Sequence, residues 1–213
     1  MSNLMAPISI EVVTSLKEVS EEEWNNCNSE ENPFTSYAFL RALEESGSAT
    51  QNTGWLSQHL ILREGDGPIA AVAPLYLKNH SYGEYVFDWG WADAYERAGG
   101  RYYPKLQCAV PFTPVTGPRL MVRKDQGEER AKVLRLTLAK GMIQLAPKLE
   151  VSSVHITFPT KSETTDLVSL GFLQRNGQQF HWSNRGFKDF DDFLDQLTSR
   201  KRKAIKKERK KIK

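Results

Sequence analysis

The sequence predicts an α/β (α+β) fold, a mixed and largely antiparallel sheet flanked by helices. Three observations carry that prediction. Two extended runs, 59–63 and 68–77, flank Glu64-Gly65-Asp66-Gly67, whose glycines suit a tight antiparallel reversal. An apolar stripe of Val133, Leu134, Leu138, Gly141, Met142 and Leu145 marks a helix over 128–145 that lies on a sheet, with Pro147 as its stop. Strands and helices do not alternate regularly, which argues against a doubly wound parallel sheet.

The remaining elements follow in order. Residues 8–13 read as a short strand, and Ser20 ahead of Glu21, Glu22 and Glu23 caps a helix whose first turn favours acids. Pro33 turns the chain, after which Thr35 caps a helix with Phe39, Leu40 and Leu43 on one face, ended by Gly47. Phe34, Tyr37 and Phe39 read as core. Residues 85–89 are β-prone, and 91–97 suit a short helix stopped by Gly99-Gly100. Pro104, Pro111, Pro114 and Pro118 then restrict 101–122 to strands and rigid turns. A buried strand is expected at 154–158, a helix at 162–170 closed by Gly171, and a strand at 172–182 interrupted at Asn176-Gly177. The last helix starts near Asp189 with Phe190, Phe193, Leu194 and Leu197 on one face, and continues more weakly through Lys201, Ala204, Ile205, Glu208 and Ile212. The expected division is a domain over 1–186 and a basic helix over 187–213.

Composition narrows the function classes. The chain of 213 residues is 39% hydrophobic, long and apolar enough to bury a core. Its net charge of +3 hides a split: ten of the 29 Lys/Arg fall in 200–213 against Glu208 alone, a local +9, so the first 199 residues carry −6. That argues against nucleic-acid binding over the whole surface. No apolar run approaches the ~20 residues of a membrane span, and 1–13 lack the basic and apolar regions of a secretory signal. Cys27 and Cys108 have neither CxxC nor Cys/His spacing, so no zinc site or disulfide framework is expected, and the expected compartment is the reducing cytoplasm. His59, His80, His155 and His181 show no metal-binding spacing; His59 and His181 read as sheet residues with satisfied hydrogen bonds. Walker, GxSxG, HExxH and GxGxxG motifs do not occur.

The densest polar and aromatic segment is 88–105, which contains Asp88, Trp89, Trp91, Asp93, Tyr95, Arg97, Arg101, Tyr102, Tyr103 and Lys105. Aromatic walls with a few fixed charges suit a pocket for an elongated polar ligand, since stacking supplies area and charge sets orientation. A packed surface loop anchored by its aromatics is the alternative. The run Val110-Pro111-Phe112-Thr113-Pro114-Val115-Thr116-Gly117-Pro118-Arg119-Leu120 is a second rigid element that leaves backbone groups for a ligand, or else an edge strand with turns.

These residues carry a resemblance. Asn32-Pro33-Phe34, Ala73-Pro74-Leu75-Tyr76-Leu77-Lys78, the 84–105 segment, Pro111-Phe112-Thr113-Pro114-Val115-Thr116-Gly117-Pro118-Arg119-Leu120 and the basic stretch from Ser199 to Arg209 resemble, in that order and over nearly the whole chain, the FemAB-like N-acyltransferases. This family is linked to peptidoglycan biosynthesis and belongs to the GNAT superfamily. The resemblance implies a GNAT-like fold and transfer of an acyl or aminoacyl group to an amine, with acyl-CoA or aminoacyl-tRNA as donor. It further implies two GNAT-like halves in tandem joined by the basic helix, so that this chain corresponds to the N-terminal half and its partner is a second GNAT-like domain. GNAT folds hold pyrophosphate on an Arg/Gln-x-x-Gly-x-Gly/Ala loop, and Arg97-Ala98-Gly99-Gly100-Arg101 departs from that spacing.

Under this reading Asp88 and Asp93 are the candidates for positioning or deprotonating the amine. Trp89, Trp91, Tyr95, Tyr102 and Tyr103 would wall the site and donate hydrogen bonds; Arg97, Arg101 and Lys105 would hold a carboxylate or phosphate. Thr116 and Gly117 fall where Gly117-Pro118 resembles the Gly-Pro pair after the cleft strand of the Fem transferases. Arg200, Lys201, Arg202, Lys203, Lys206 and Lys207 have three readings: a solvated helix awaiting a partner domain, a phosphate-binding surface for tRNA or other nucleic acid, or contact with an acidic membrane. A second function class therefore stands beside the enzyme: a non-catalytic module that binds RNA or an anionic surface through its terminal helix.

Overall fold

The computed structural model describes residues 7–28 and 32–212, the side chain of Ile212 excepted. Residues 1–6 and Lys213, on which parts of the N-terminal and basic-run readings fall, lie outside the described residues. The chain divides into two compact units, Met1–Arg175 and Asn176–Lys213.

Unit 1 is a mixed α/β structure of two four-stranded sheets flanked by helices. Sheet 1 has the order β1-β3-β4-β7, from β1 (Ile8–Val13), β3 (His59–Glu64), β4 (Ile69–Ala73) and β7 (Met121–Val122), all antiparallel. Sheet 2 has the order β2-β5-β6-β8, from β2 (Leu56–Ser57), β5 (Leu75–Lys78), β6 (Lys105–Cys108) and β8 (Val154–Ile156), with β6 and β8 parallel. The expected hairpin is β3–β4, with Gly65 at φ +59 in the turn. The run 68–77 is not one strand, because Pro74 splits it and sends β4 and β5 into different sheets. Pro74 brings no N–H to a ladder, and its carbonyl accepts from Ala109 N at 3.2 Å.

Alternation along β3 places layers on both faces of sheet 1. Leu60 and Leu62 pack with Leu134, Leu138 and Met142 of α4 (Glu128–Lys148), while Ile61 packs with Trp24 of α1 (Glu21–Cys27) and Leu40 of α2 (Tyr37–Glu45). Gly141 permits the close seating of α4: a Cβ there would lie 2.7 Å from Ile10 Cδ1. Pro147 does not end α4, which runs to Lys148. Ser20 caps α1 as expected, but Ser36 rather than Thr35 caps α2; Thr35 is buried in the turn before it and accepts from Trp24 Nε1 through its carbonyl.

Three other expectations fail. Residues 85–89 form no strand, and α3 (Trp89–Arg97) begins there instead. After α5 (Lys161–Ser169), residues 172–182 form no strand either, so His181 is exposed and off any sheet. In unit 2 the terminal helix is two helices, α6 (Phe190–Asp195) and α7 (Ser199–Ile212). Trp182, Phe187, Phe190 and Phe193 cluster around α6 with ring centroids 5.5–6.3 Å apart.

Candidate functional site

The face of sheet 2 turned away from α4 is polar and buried. In β5 and β6, Leu75, Leu77, Leu106 and Cys108 join the core under α4, so the alternation of a strand sends Tyr76, Lys78, Lys105 and Gln107 to the opposite face. Registered pairs there are Tyr76 with Gln107 and Lys78 with Lys105. All four side chains are buried, the two lysines fully.

The segment after β5 closes this face and is inside out. It buries Ser81, Glu84 and Asp88 and exposes Tyr82, Tyr85, Phe87 and Trp89. Phe87 is 74% exposed while Asp88 is 1% exposed. Alternate residues Gly83, Tyr85 and Phe87 have φ of +78°, +58° and +50°, a region costly for bulky side chains. Gly83 is also sterically required, since a Cβ there would meet the Phe112 ring at 2.7 Å.

What fixes this backbone is a buried ion network. Lys105 Nζ donates to Ser81 Oγ, Glu84 Oε2 and Asp88 Oδ2, each at 2.8 Å, which uses all three of its N–H bonds. Tyr102 Oη donates to Asp88 Oδ2 at 2.8 Å, and the Tyr103 and Ser81 hydroxyls share a 2.7 Å hydrogen bond. Lys78 Nζ donates to the Tyr82 carbonyl at 3.2 Å and lies 3.6 Å over the Trp55 ring. Around this network, among the described residues, four buried atoms have no partner: Glu84 Oε1, Asp88 Oδ1, Gln107 Oε1 and Trp55 Nε1. Buried polar groups are normally satisfied, so this concentration singles out the face as the candidate site.

The protonation states differ within the cluster. Burial alone would raise Asp88, but its bonds from Lys105, Ser81 and Tyr102 bring it down to about 2. Burial raises Glu84 against the opposing field of Lys105. Burial lowers Lys78 to about 7, opposed by Glu84 and reinforced by Lys105. Tyr102 is raised by burial and by Asp88, which keeps it a hydrogen-bond donor. Burial and the charge of Lys105 push His155, on β8, down to about 4.

The sequence candidates are distributed unevenly around this core. Asp88, Tyr102, Tyr103 and Lys105 converge. Asp93 does not: its carboxylate is 64% exposed and pairs with Arg97 at 2.9 Å along α3. Trp89 packs at a tilt against Tyr82 at 4.8 Å, Trp91 lies under Arg175 at 5.8 Å, and Tyr95 packs on Tyr102 at 6.1 Å. Arg101 donates to the Glu150 carbonyl. Lys105, with its N–H groups used, is not placed to hold an external phosphate.

The proline-rich run reaches the same rim, because Phe112 N donates to the Gly83 carbonyl at 3.0 Å and the Phe112 ring lies 5.6 Å from Trp55. Arg119, 1% exposed, braces this run by donating to the carbonyls of Val115, Gly117, Pro118 and Thr157. Thr116 stays exposed, whereas Gly117 is buried with its N–H on the Phe158 carbonyl.

Lys78, Ser81, Glu84 and Trp55 were not among the sequence candidates. For Lys78 the alternation of Leu75-Tyr76-Leu77-Lys78, apolar on one face and polar on the other, marks the face but not its partners; Ser81, Glu84 and Trp55 carry no such local signal. Among the described residues no three His, Cys, Asp or Glu side chains are grouped to hold a metal, and no helix is long and apolar enough to cross a membrane.

In unit 2, Arg200, Lys201, Lys203, Lys206 and Lys207 are exposed along α7. Arg202 pairs with Asp195 at 3.1 Å, Lys206 with Asp191 at 3.4 Å, and Arg209 lies 4.0 Å over Phe190.

A search of curated proteins returns no match. Among solved structures, an acetyltransferase from Trypanosoma brucei is similar at 13% identity and TM-score 0.47, covering 84% of this chain and 100% of that one. Glucosamine-6-phosphate N-acetyltransferase from Arabidopsis thaliana is similar at 11% identity and TM-score 0.45, covering 84% and 99%. The family model for FemAB-like proteins, described as peptidoglycan biosynthesis/recognition, matches residues 15–213, a span that contains both the buried network of sheet 2 and the basic helix. The chain therefore belongs to the FemAB-like family.

Proposed function

We propose that the chain serves acyl or aminoacyl transfer to an amine acceptor, and that the acceptor amine is handled at the polar face of sheet 2. The observation that supports this reading is the pair of buried carboxylate oxygens without donors, Glu84 Oε1 and Asp88 Oδ1, beneath an aromatic rim. An amine supplies the N–H donors those oxygens lack.

The chemistry assigns different tasks to the two acids. In the transfer the amine nitrogen attacks the carbonyl carbon, a C–N bond forms, and the bond to the donor's sulfur or ribose oxygen breaks. The amine gives up a proton and the leaving group takes one. Asp88, held down to about 2, stays ionised and orients an amine without accepting its proton. Glu84, raised by burial, is better matched to take that proton. Tyr102 gives its one O–H to Asp88 and holds that carboxylate in place, whereas Tyr103, half-buried and able to accept from Ser81, is suited to donate toward a developing oxyanion or the leaving atom. Acyl-CoA and aminoacyl-tRNA both fit this scheme as donors.

Asp88→Asn keeps the shape of the side chain and the Lys105 contact but removes the charge. In the intact protein, assayed with acyl-CoA and aminoacyl-tRNA donors against amine acceptors, it is expected to slow transfer by about 10²-fold with the folded circular-dichroism signal retained. Unchanged turnover with either productive donor would remove Asp88 from the reaction.

A further inference from the structure

Two cations are buried side by side in sheet 2, and they are compensated unequally. Lys78 and Lys105 are direct cross-strand partners on one face, a repulsive arrangement unless neutralised. Lys105 has two carboxylates and a hydroxyl at 2.8 Å. Lys78 has one carbonyl and an aromatic face. The charged groups acting on it are Glu84, which favours its ammonium, and Lys105, which disfavours it. His80, next along the loop, is itself pushed down by burial and then by the Lys78 charge. Asp88 is committed to Lys105 and Tyr102.

The segment that seals Lys78 is held by the same few atoms. Its anchors are the Tyr82 carbonyl on Lys78, and Ser81, Glu84 and Asp88 on Lys105. Between them runs the left-handed stretch at Gly83, Tyr85 and Phe87, strain that lifting the segment would relieve. Lifting it would also hydrate Lys78. A lysine buried in one conformation and hydrated in the other binds its proton less tightly in the first, so the two equilibria are linked.

We propose that residues 79–89 are a lid whose closure over Lys78 is coupled to loss of that residue's proton, so that alkali shuts the lid and acid loosens it together with its aromatic rim. With the lid open, Lys78 titrates near the ordinary lysine value of about 10.4; with it closed, near 7. Between those limits the open form holds one more proton, so the closed fraction rises with pH. Below the lower limit Lys78 is protonated in both forms and adds no further dependence. The device is independent of the chemistry proposed above, because it needs only Lys78 and the segment over it.

Hydrogen exchange on the full chain tests it, read at the amide of Phe112, which donates from outside the lid to the Gly83 carbonyl within it. After correction for intrinsic exchange, protection at this amide is expected to rise about tenfold per pH unit between about pH 7 and 9, through an opening of lower free energy than the one that exposes the β3 core amides. Lys78→Met should give protection that is high and flat with pH. Lys78→Arg, charged throughout, should give protection that is low and flat, and it decides the matter if the methionine variant does not fold. Glu84→Gln removes a group that favours the ammonium and should move the rise to lower pH. A flat profile in the unaltered chain, or an unchanged slope in both Lys78 variants, overturns the proposal.

Discussion

Two buried ionic clusters lie in the same unit and behave oppositely. The first centres on Glu44 of α2. Its Oε1 accepts from Leu16 N and Ser57 Oγ and faces His59 Nε2, and its Oε2 accepts from Ser15 Oγ, Leu16 N and Arg41. His59 Nδ1 accepts from Leu75 N, which leaves Nε2 to donate to Glu44. The carboxylate is thus saturated, and burial, which would raise it, is overcome by these bonds so that it falls to about 2. The second cluster, around Lys105, has orphaned oxygens on both carboxylates and a second cation with half a coordination shell. A groove of about 460 Å³ opens beside Glu44, yet both oxygens of that carboxylate are already engaged. The difference teaches that satisfaction of hydrogen bonds, more than burial or an adjacent hollow, separates an ionic cluster that is closed on itself from one that keeps acceptors for a ligand.

The sharpest way to break the comparison is to remove each cluster's central ion. Glu44→Ala leaves donors from four segments without an acceptor, and is expected to cost about 3–5 kcal/mol of stability in urea unfolding. Linkage gives the matching pH effect. Glu44 in the folded chain titrates near 2 against about 4.3 unfolded, so its contribution is full above the unfolded value and lost as pH falls toward 2; the variant should lack that part of the acid slope. Lys105→Met is expected to cost less, about 2 kcal/mol, because Lys78 stands opposite as a reserve cation for Glu84 and Asp88. In that variant Lys78 loses a repulsive neighbour, so the rise in lid protection should move to higher pH. A larger loss for Lys105→Met than for Glu44→Ala would reverse the assignment of which cluster ties the fold together.

Particular residues show how far this architecture could be read in advance. The β3–β4 reversal is visible because Gly65 supplies the positive φ that a turn needs. α4 is visible because its stripe meets a sheet, and Pro147 is tolerated inside it because the loss of one N–H falls in the last turn. The 172–182 run has strand-forming residues but no ladder partner, and a strand requires one. Asp88, Tyr102 and Tyr103 were legible as a dense polar and aromatic segment. Lys78 and Glu84 were not, since their role depends on the register that sets Lys78 opposite Lys105, a long-range fact that local composition does not carry. The inside-out polarity of 81–89 inverts the usual rule of apolar residues inward, so a pattern-based reading turns its second half, 85–89, into a strand.

The smallest expected effect discriminates best, because its sign is opposite to the others. Lys78→Met keeps an unbranched chain against Trp55 while removing a cation that lacks its own counter-ion. Replacing poorly compensated buried charge by apolar volume is neutral or stabilising, offset here by the donor lost to the Tyr82 carbonyl. The balance is a gain of about 1 kcal/mol at pH 6. Since the unfolded chain binds the Lys78 proton up to about pH 10.4 and the folded chain only to about 7, the unaltered protein becomes more stable with rising pH across that interval. The advantage of the methionine variant should therefore be largest below pH 7 and shrink above it, measured as the difference between the two urea midpoints at pH 6 and pH 9. A loss of stability that is the same at both pH values would mean that Lys78 is a satisfied structural cation like its counterpart beside it, and the two clusters would differ in degree alone.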